Sequence, residues 1–220
     1  HAVLGQPRTG FVMDHAYWGP EYPVARMKAA LEAEGLSFEE LSDDEMATAA
    51  AQRIADGDVL GWYQGRSEWG PRALGNRSIV VDPRRSDMKD ILNSRVKHRE
   101  AFRPFSPSIL AERAGEWFEN DYPSPFMQMT YQVREDKRDA IPAPTHVDGS
   151  GRLQTVTAEA NPRYHALISE FDRLTGVPVL LNTSFNDNEP VVNTPEEAVA
   201  SFLRTRMDAL ALGPFLVARS

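Results

Sequence analysis

The stretch from residue 64 to residue 82 reads QGRSEWGPRALGNRSIVVD. Gly70, Gly75 and Ser78 imitate the spacing of a phosphate-binding loop, with Asn76 and Arg77 between the last glycine and the serine. A true loop of that kind opens a helix at its hydroxyl residue. Ser78 leads instead into Ile79, Val80 and Val81, a β-branched run that signals a strand. The P-loop reading fails on this context. What remains is Arg66, Arg72 and Arg77 interleaved with Gly65, Gly70 and Gly75. Either the glycines make turns on a solvated surface, or they let backbone and guanidinium groups close around something negative.

Helix and strand signals alternate on both sides of this stretch. Residues 23 to 34 place Val24, Met27 and Leu31 on one helical face, with Gly35 as a stop. Ser42 and Glu45 form a capping box ahead of a helix carrying Met46, Ala50 and Ile54, closed by Gly57. DVLGWYQG reads as the strand leading into the opening motif, and RSIVVDP as the strand after it. Ser86 is the expected cap of a helix through Met88, Ile91 and Leu92. PFMQMTYQV and RLQTVT read as strands around a polar loop, REDKRDAIPAP. Asn161 and Pro162 open a helix with Tyr164, Leu167, Ile168, Phe171 and Leu174 inward and Gly176 at its end. VPVLLNTSFN is a buried strand; Thr194, Pro195 and Glu197 start a last helix with Val199, Phe202 and Leu203, and DALAL and PFLVA close the chain. Interleaved elements without a repeat imply a mixed α/β domain.

The 220 residues, 41% hydrophobic and 25% charged, have the composition of a globular protein. No apolar run approaches a membrane span and no signal sequence is visible, so the expectation is a soluble, cytoplasmic protein without membrane attachment. The absence of cysteine excludes disulfides, thiolate zinc sites and cysteine nucleophiles. A start at His1 rather than Met suggests a tag remnant or an excised piece of something longer. Net charge is −8, unevenly spread: residues 66 to 103 hold ten Lys/Arg against five acids, a local balance of +5, leaving −13 for the rest. An acidic body repels long polyanions, whereas a basic island can hold a small phosphate compound, which favours a nucleotide over nucleic acid.

Two further clusters sharpen that expectation. In RVKHRE, Arg95, Lys97 and Arg99 lie two apart, so an extended backbone would point all three to one side. In LLNTSFN, Asn182, Ser184 and Asn186 share one face of a strand whose other face carries Leu181, Thr183 and Phe185. Cations held side by side repel unless an anion lies between them, and Ser and Asn can donate to oxygens the cations do not reach. Read alone, Lys97 and Arg99 belong to a solvated face. His146 and Asp148 suit a turn better than a metal, since no third ligand is evident, so no metal site is assigned. His15 beside Asp14, and His98, are less informative still.

GRSEWGPRALGNRSIVVDPR, KHREAFRPFSPSIL, SPFM, THVDGSGRLQTV and LLNTSFNDNEPVV together resemble the C-terminal region of the NodU/CmcH-type O-carbamoyltransferases, from about Tyr17 to the end of the chain. The family modifies nodulation factors, cephem antibiotics, aminoglycosides and macrolide or ansamycin products. The resemblance implies a YrdC-like α/β (α+β type) domain with a twisted mixed β-sheet flanked by helices over residues 17–220. Residues 1–16 would then be a linker or tail from a missing N-terminal domain. It implies binding of ATP with Mg²⁺ and of carbamoyl phosphate, to make carbamoyl adenylate. It also implies an N-terminal partner domain of the actin-like ATPase superfamily, with its own metal site, which passes the carbamoyl group to an acceptor hydroxyl.

YrdC-like proteins share a K-x-R pair and an S-x-N pair around the nucleotide phosphates, which fall here on Lys97 and Arg99 and on Ser184 and Asn186. Arg66, Arg72 and Arg77 are assigned to the carbamoyl phosphate side. Ser78, Arg103, Asn182, His146 and Arg152 complete the expected ATP and carbamoyl phosphate wall. Two other readings stand beside this one: an RNA-binding or tRNA-modification module of the same fold, and a non-catalytic domain that closes over its partner's site. The −13 outside the island and the lack of aromatic-basic interleaving argue against RNA.

Overall fold

The structure, a computed structural model, describes residues 5, 10, 12–100 and 102–219. The expected linker over residues 1–16 therefore lies mostly outside the described residues. Among those described, nine strands form one open mixed sheet in the order β1-β9-β8-β2-β3-β7-β4-β6-β5. In chain order these are β1 (Glu39–Glu40), β2 (Leu60–Tyr63), β3 (Arg77–Val81), β4 (Ser106–Leu110), β5 (Met129–Gln132), β6 (Ser150–Val156), β7 (Val179–Ser184), β8 (Ala209–Leu212) and β9 (Phe215–Ala218). β2 runs parallel to β8 and β4 parallel to β6; the remaining pairings are antiparallel. The sheet is flanked by helices and is not closed into a barrel.

Strand alternation divides the core into two layers. On one face Trp62, Val80, Leu180 and Ala209 pack against α2 (Asp43–Ala55) through Met46, Ala50 and Ile54, and against α5 (Pro162–Thr175) through Tyr164, Leu167, Ile168 and Phe171. On the other, Tyr63, Ile79, Leu181 and Leu210 meet α1 (Val24–Ala33), α3 (Met88–Leu92) and α6 (Pro195–Arg204) through Met27, Leu31, Met88, Leu92, Val199 and Phe202. Successive residues of one strand point to opposite layers, so Leu180 and Leu181 serve different cores. Both capping boxes form, Ser42 with Glu45 and Thr194 with Glu197. Asn161 caps α5 by accepting from the Tyr164 N–H.

Several local expectations are corrected. Leu174, read as inward, is exposed, as are Val24 and Leu203, which the sequence places with the apolar faces of their helices. Asp87, not Ser86, occupies the N-cap of α3, with no side-chain bond. Within REDKRDAIPAP, residues Glu135–Ala140 form a 3₁₀ helix. β4 carried no strand signal, since it contains Pro107; the proline precedes the point, at Ser108, where pairing to β6 begins.

Candidate active site

Because β7 is antiparallel to β3 and β4, and β4 is parallel to β6, the end of β7 meets the starts of β3, β4 and β6 along one edge of the molecule. Ser184 at the end of β7, Arg77 opening β3, Ser106 opening β4 and Arg152 near the start of β6 thus converge. Lys97 reaches this edge from the segment after α3. Its Nζ donates to Ser184 O at 2.6 Å, Asn186 O at 2.7 Å and Asn186 Oδ1 at 2.8 Å, and lies 3.3 Å from Ser184 Oγ. Ser184 Oγ in turn donates to Asn186 Oδ1 at 2.7 Å. The K-x-R lysine and the S-x-N pair are therefore joined in one hydrogen-bonded cluster. Lys97 is only 4% exposed, and burial first, then the charge of Arg99, pushes its ammonium down to about 7.

The backbone that delivers Lys97 differs from the expected strand. Asn93–Lys97 is a π-helical turn, followed by His98 in the left-handed region at φ 44°. The wide turn separates the three cations. Arg95 leaves the site and pairs with Asp208 at 3.1 Å, Lys97 turns inward, and His98 redirects the chain toward Arg99. π-turns occur often at functional sites.

Arg99 lies 4.3 Å over the Phe105 ring, with its Nε 3.4 Å from Asn93 Oδ1. Arg152 donates twice to Ser106 Oγ, at 3.2 and 3.0 Å. Burial, then the charges of Arg103 and Arg152, lowers the affinity of Arg99 for its proton; burial and then Arg72 does the same to Arg152. Among the described residues Arg72, Arg99 and Arg152 have no carboxylate partner, while the more exposed Arg103 lies 3.9 Å from Glu100. The result is a run of mutually repelling cations beside a buried lysine. Such an arrangement is stabilised by an anion.

The Gly/Arg loop joins this cluster through Arg72 and closes, in part, around an anion of its own. Glu68 Oε1 accepts from the backbone N–H groups of Leu74 at 2.7 Å, Asn76 at 2.8 Å and Arg77 at 3.2 Å. Other expected members make contacts of their own within the protein. Arg77 is buried, stacks 3.6 Å over Tyr63, and donates to the carbonyls of Gln64, Asn76 and Gly65. Ser78 Oγ accepts from Gly75 N, and Arg66 donates to Trp18 O. Asn182 lies beneath the loop, its amide donating toward Ala73 O, Ser108 Oγ and Gln154 Oε1. His146 borders the cluster, with Nδ1 3.2 Å from Ser150 Oγ, and burial holds the ring below its ordinary value. Asp148 accepts from Ser150 N and Oγ and so shapes a turn. Sequence reasoning missed Glu68, Ser106 and Asn93. The first could have been found as the lone acid among the loop's arginines; the other two carried no signal.

Residues 51–219, which contain every member of this cluster, match the family described as Carbamoyltransferase C-terminus. The chain belongs to that family. The nodulation protein NolNO of Sinorhizobium fredii is 48% identical over 219 residues, spanning 97% of this chain and 32% of its own. NolO of Bradyrhizobium diazoefficiens is 46% identical, spanning 97% and 40%. The 3'-hydroxymethylcephem-O-carbamoyltransferase of Streptomyces clavuligerus is 46% identical over 140 residues, 64% of this chain and 26% of its own. This carbamoyltransferase C-terminal domain thus spans about a third of the length of NolNO. Among its described residues no helix is long and apolar enough to cross a membrane.

Proposed function

We propose that this domain is the activating half of an O-carbamoyltransferase, forming carbamoyl adenylate from ATP and carbamoyl phosphate on a YrdC-like scaffold. The observation that carries this reading is the group Arg72, Arg152 and Arg99 beside Lys97, cations that among the described residues have no carboxylate partner. A polyphosphate supplies the charge this donor set lacks. Lys97 and Arg99 take the triphosphate, with Ser184 and Asn186 holding the ammonium in place. Arg72 and Arg152 take the carbamoyl phosphate side. Mg²⁺ would enter with the phosphates of ATP.

In the reaction water displaces carbamate from the phosphorus of carbamoyl phosphate, releasing inorganic phosphate, and a carbamate oxygen then bonds to the α-phosphorus of ATP as the bond to pyrophosphate breaks. The protein's part is positioning and charge neutralisation. Transfer of the carbamoyl group to a natural-product hydroxyl would fall to an N-terminal actin-like domain of the same cytoplasmic protein. Relatives two to three times longer than this chain are consistent with such a partner.

Calorimetry with ATP and Mg²⁺ tests the site. Binding is expected, and Lys97→Ala and Arg99→Ala should each weaken it roughly ten- to a hundredfold, the loss of one charge-assisted phosphate contact. Variants that bind like the parent would place the nucleotide elsewhere. No binding at millimolar ATP would favour a domain that merely closes over its partner's site.

A further inference from the structure

The loop of residues 64–76 connects β2 to β3 and contains one carboxylate, Glu68, between Arg66 and Arg72. An acid so placed would be expected to pair with one of those arginines. Among the described residues it forms no ion pair; its Oε1 is filled by the N–H groups of Leu74, Asn76 and Arg77. These donors are uncharged, so the carboxylate is satisfied without consuming an arginine. The same contacts fold the limb 74–77 back onto residue 68, a path helped by positive φ at Gly70 (130°) and Gly75 (104°).

That limb is also fixed to the sheet beside the cation cluster. Asn182 donates to Ala73 O at 3.2 Å, and Gln154 donates to Leu74 O at 2.7 Å. Gln154 lies two residues beyond Arg152 on β6, on the same face, and Asn182 pairs in register with Ser106, which accepts from Arg152. Arg72 therefore immediately precedes a limb anchored to Asn182 and Gln154, on the face of β6 that carries Arg152. The charge of Arg72 is felt there, since it lowers the proton affinity of Arg152.

We propose that Glu68 is a positioning residue: by gathering three backbone N–H groups it shapes the loop so that Arg72, left unpaired, joins Arg152 in holding a small phosphate-bearing substrate. Identifying that substrate as carbamoyl phosphate rests on the function proposed above; the positioning itself does not. Glu68 touches no substrate and acts through Arg72.

The test is calorimetric titration of the full-length protein with inorganic phosphate, using the parent, Glu68→Gln, Arg72→Ala and the double variant. Gln keeps the acceptor oxygen and the shape but loses the charge that strengthens all three bonds, so the fold should survive. Phosphate affinity should fall about tenfold in Arg72→Ala and severalfold in Glu68→Gln. The double variant should be no weaker than Arg72→Ala alone, because Glu68 works through the arginine. ATP affinity and melting temperature should stay near the parent's in Glu68→Gln. Multiplying losses in the double variant, unchanged phosphate binding in Glu68→Gln, equal damage to ATP binding, or no phosphate binding by the parent would each overturn the proposal. If carbamoyl adenylate formation is absent while the Glu68–Arg72 coupling persists, only the functional reading fails.

Discussion

Lys97 and Arg77 are both buried cations, yet they are buried for different ends. Four oxygens from Ser184 and Asn186 surround the Lys97 ammonium, but burial and Arg99 hold it down to about 7, far below the ordinary lysine value of about 10.4. Between those two values the unfolded chain binds more protons than the folded one, so stability rises as pH rises from about 7 toward about 10 and is lost as pH falls through about 7. Lys97→Met should flatten the rise, measured as chemical unfolding at pH 7 and pH 9. A bound polyphosphate restores the charged form, so ATP binding at pH 8 should take up protons, detected by calorimetry in buffers of different ionisation enthalpy. Arg77 gives its Nη1 and Nη2 to three carbonyls, while its buried Nε has no partner among the described residues. Arg77→Ala would strand those carbonyls and should destabilise the fold by about 2 to 4 kcal/mol while leaving ATP affinity of the folded fraction unchanged. Weakened ATP binding without loss of stability would restore Arg77 to the ligand wall.

At the scale of elements, the loop before β3 is held where no side chain could follow. Gly75 has φ 104°, and a Cβ there would come within 2.1 Å of the Tyr164 ring on α5. Gly75→Ala should therefore cost about 2 to 4 kcal/mol, read as a lowered urea midpoint. The elements legible in the sequence were those whose signal is local and periodic: both capping boxes, the apolar face of α5, and the alternation in β7 that separates Leu181 from Asn182. The π-turn was not legible, because one extra residue in a helical turn leaves no mark on composition, and Lys97 and Arg99 thus arrive by a path unlike the extended one expected. β4 was hidden by Pro107, although Ser106 on it orients Arg152. The spacing of charged residues named much of the cluster, but not that the backbone itself would engage Arg77 and Ser78.

Across the whole molecule, an acidic body carries a basic island, +5 within residues 66–103 against −13 elsewhere. The structure adds Arg152 from β6 to that island and removes Arg95 from it. A field of this form admits a small anion to one edge of the sheet and disfavours a long polyanion along the rest of the surface. The central claim, that this edge activates a carbamoyl group, is tested most directly by isotope exchange. Full-length protein, ATP, Mg²⁺ and carbamoyl phosphate, without any acceptor, should exchange labelled pyrophosphate into ATP. The exchange should depend on carbamoyl phosphate and should fall about a hundredfold or more in Arg99→Ala, as when a group aimed at developing charge is removed, and by less in Ser184→Ala, which loosens the seat of Lys97. Carbamoylation of an acceptor by the parent protein without any carbamoyl-phosphate-dependent exchange, or exchange untouched by both substitutions, would contradict it.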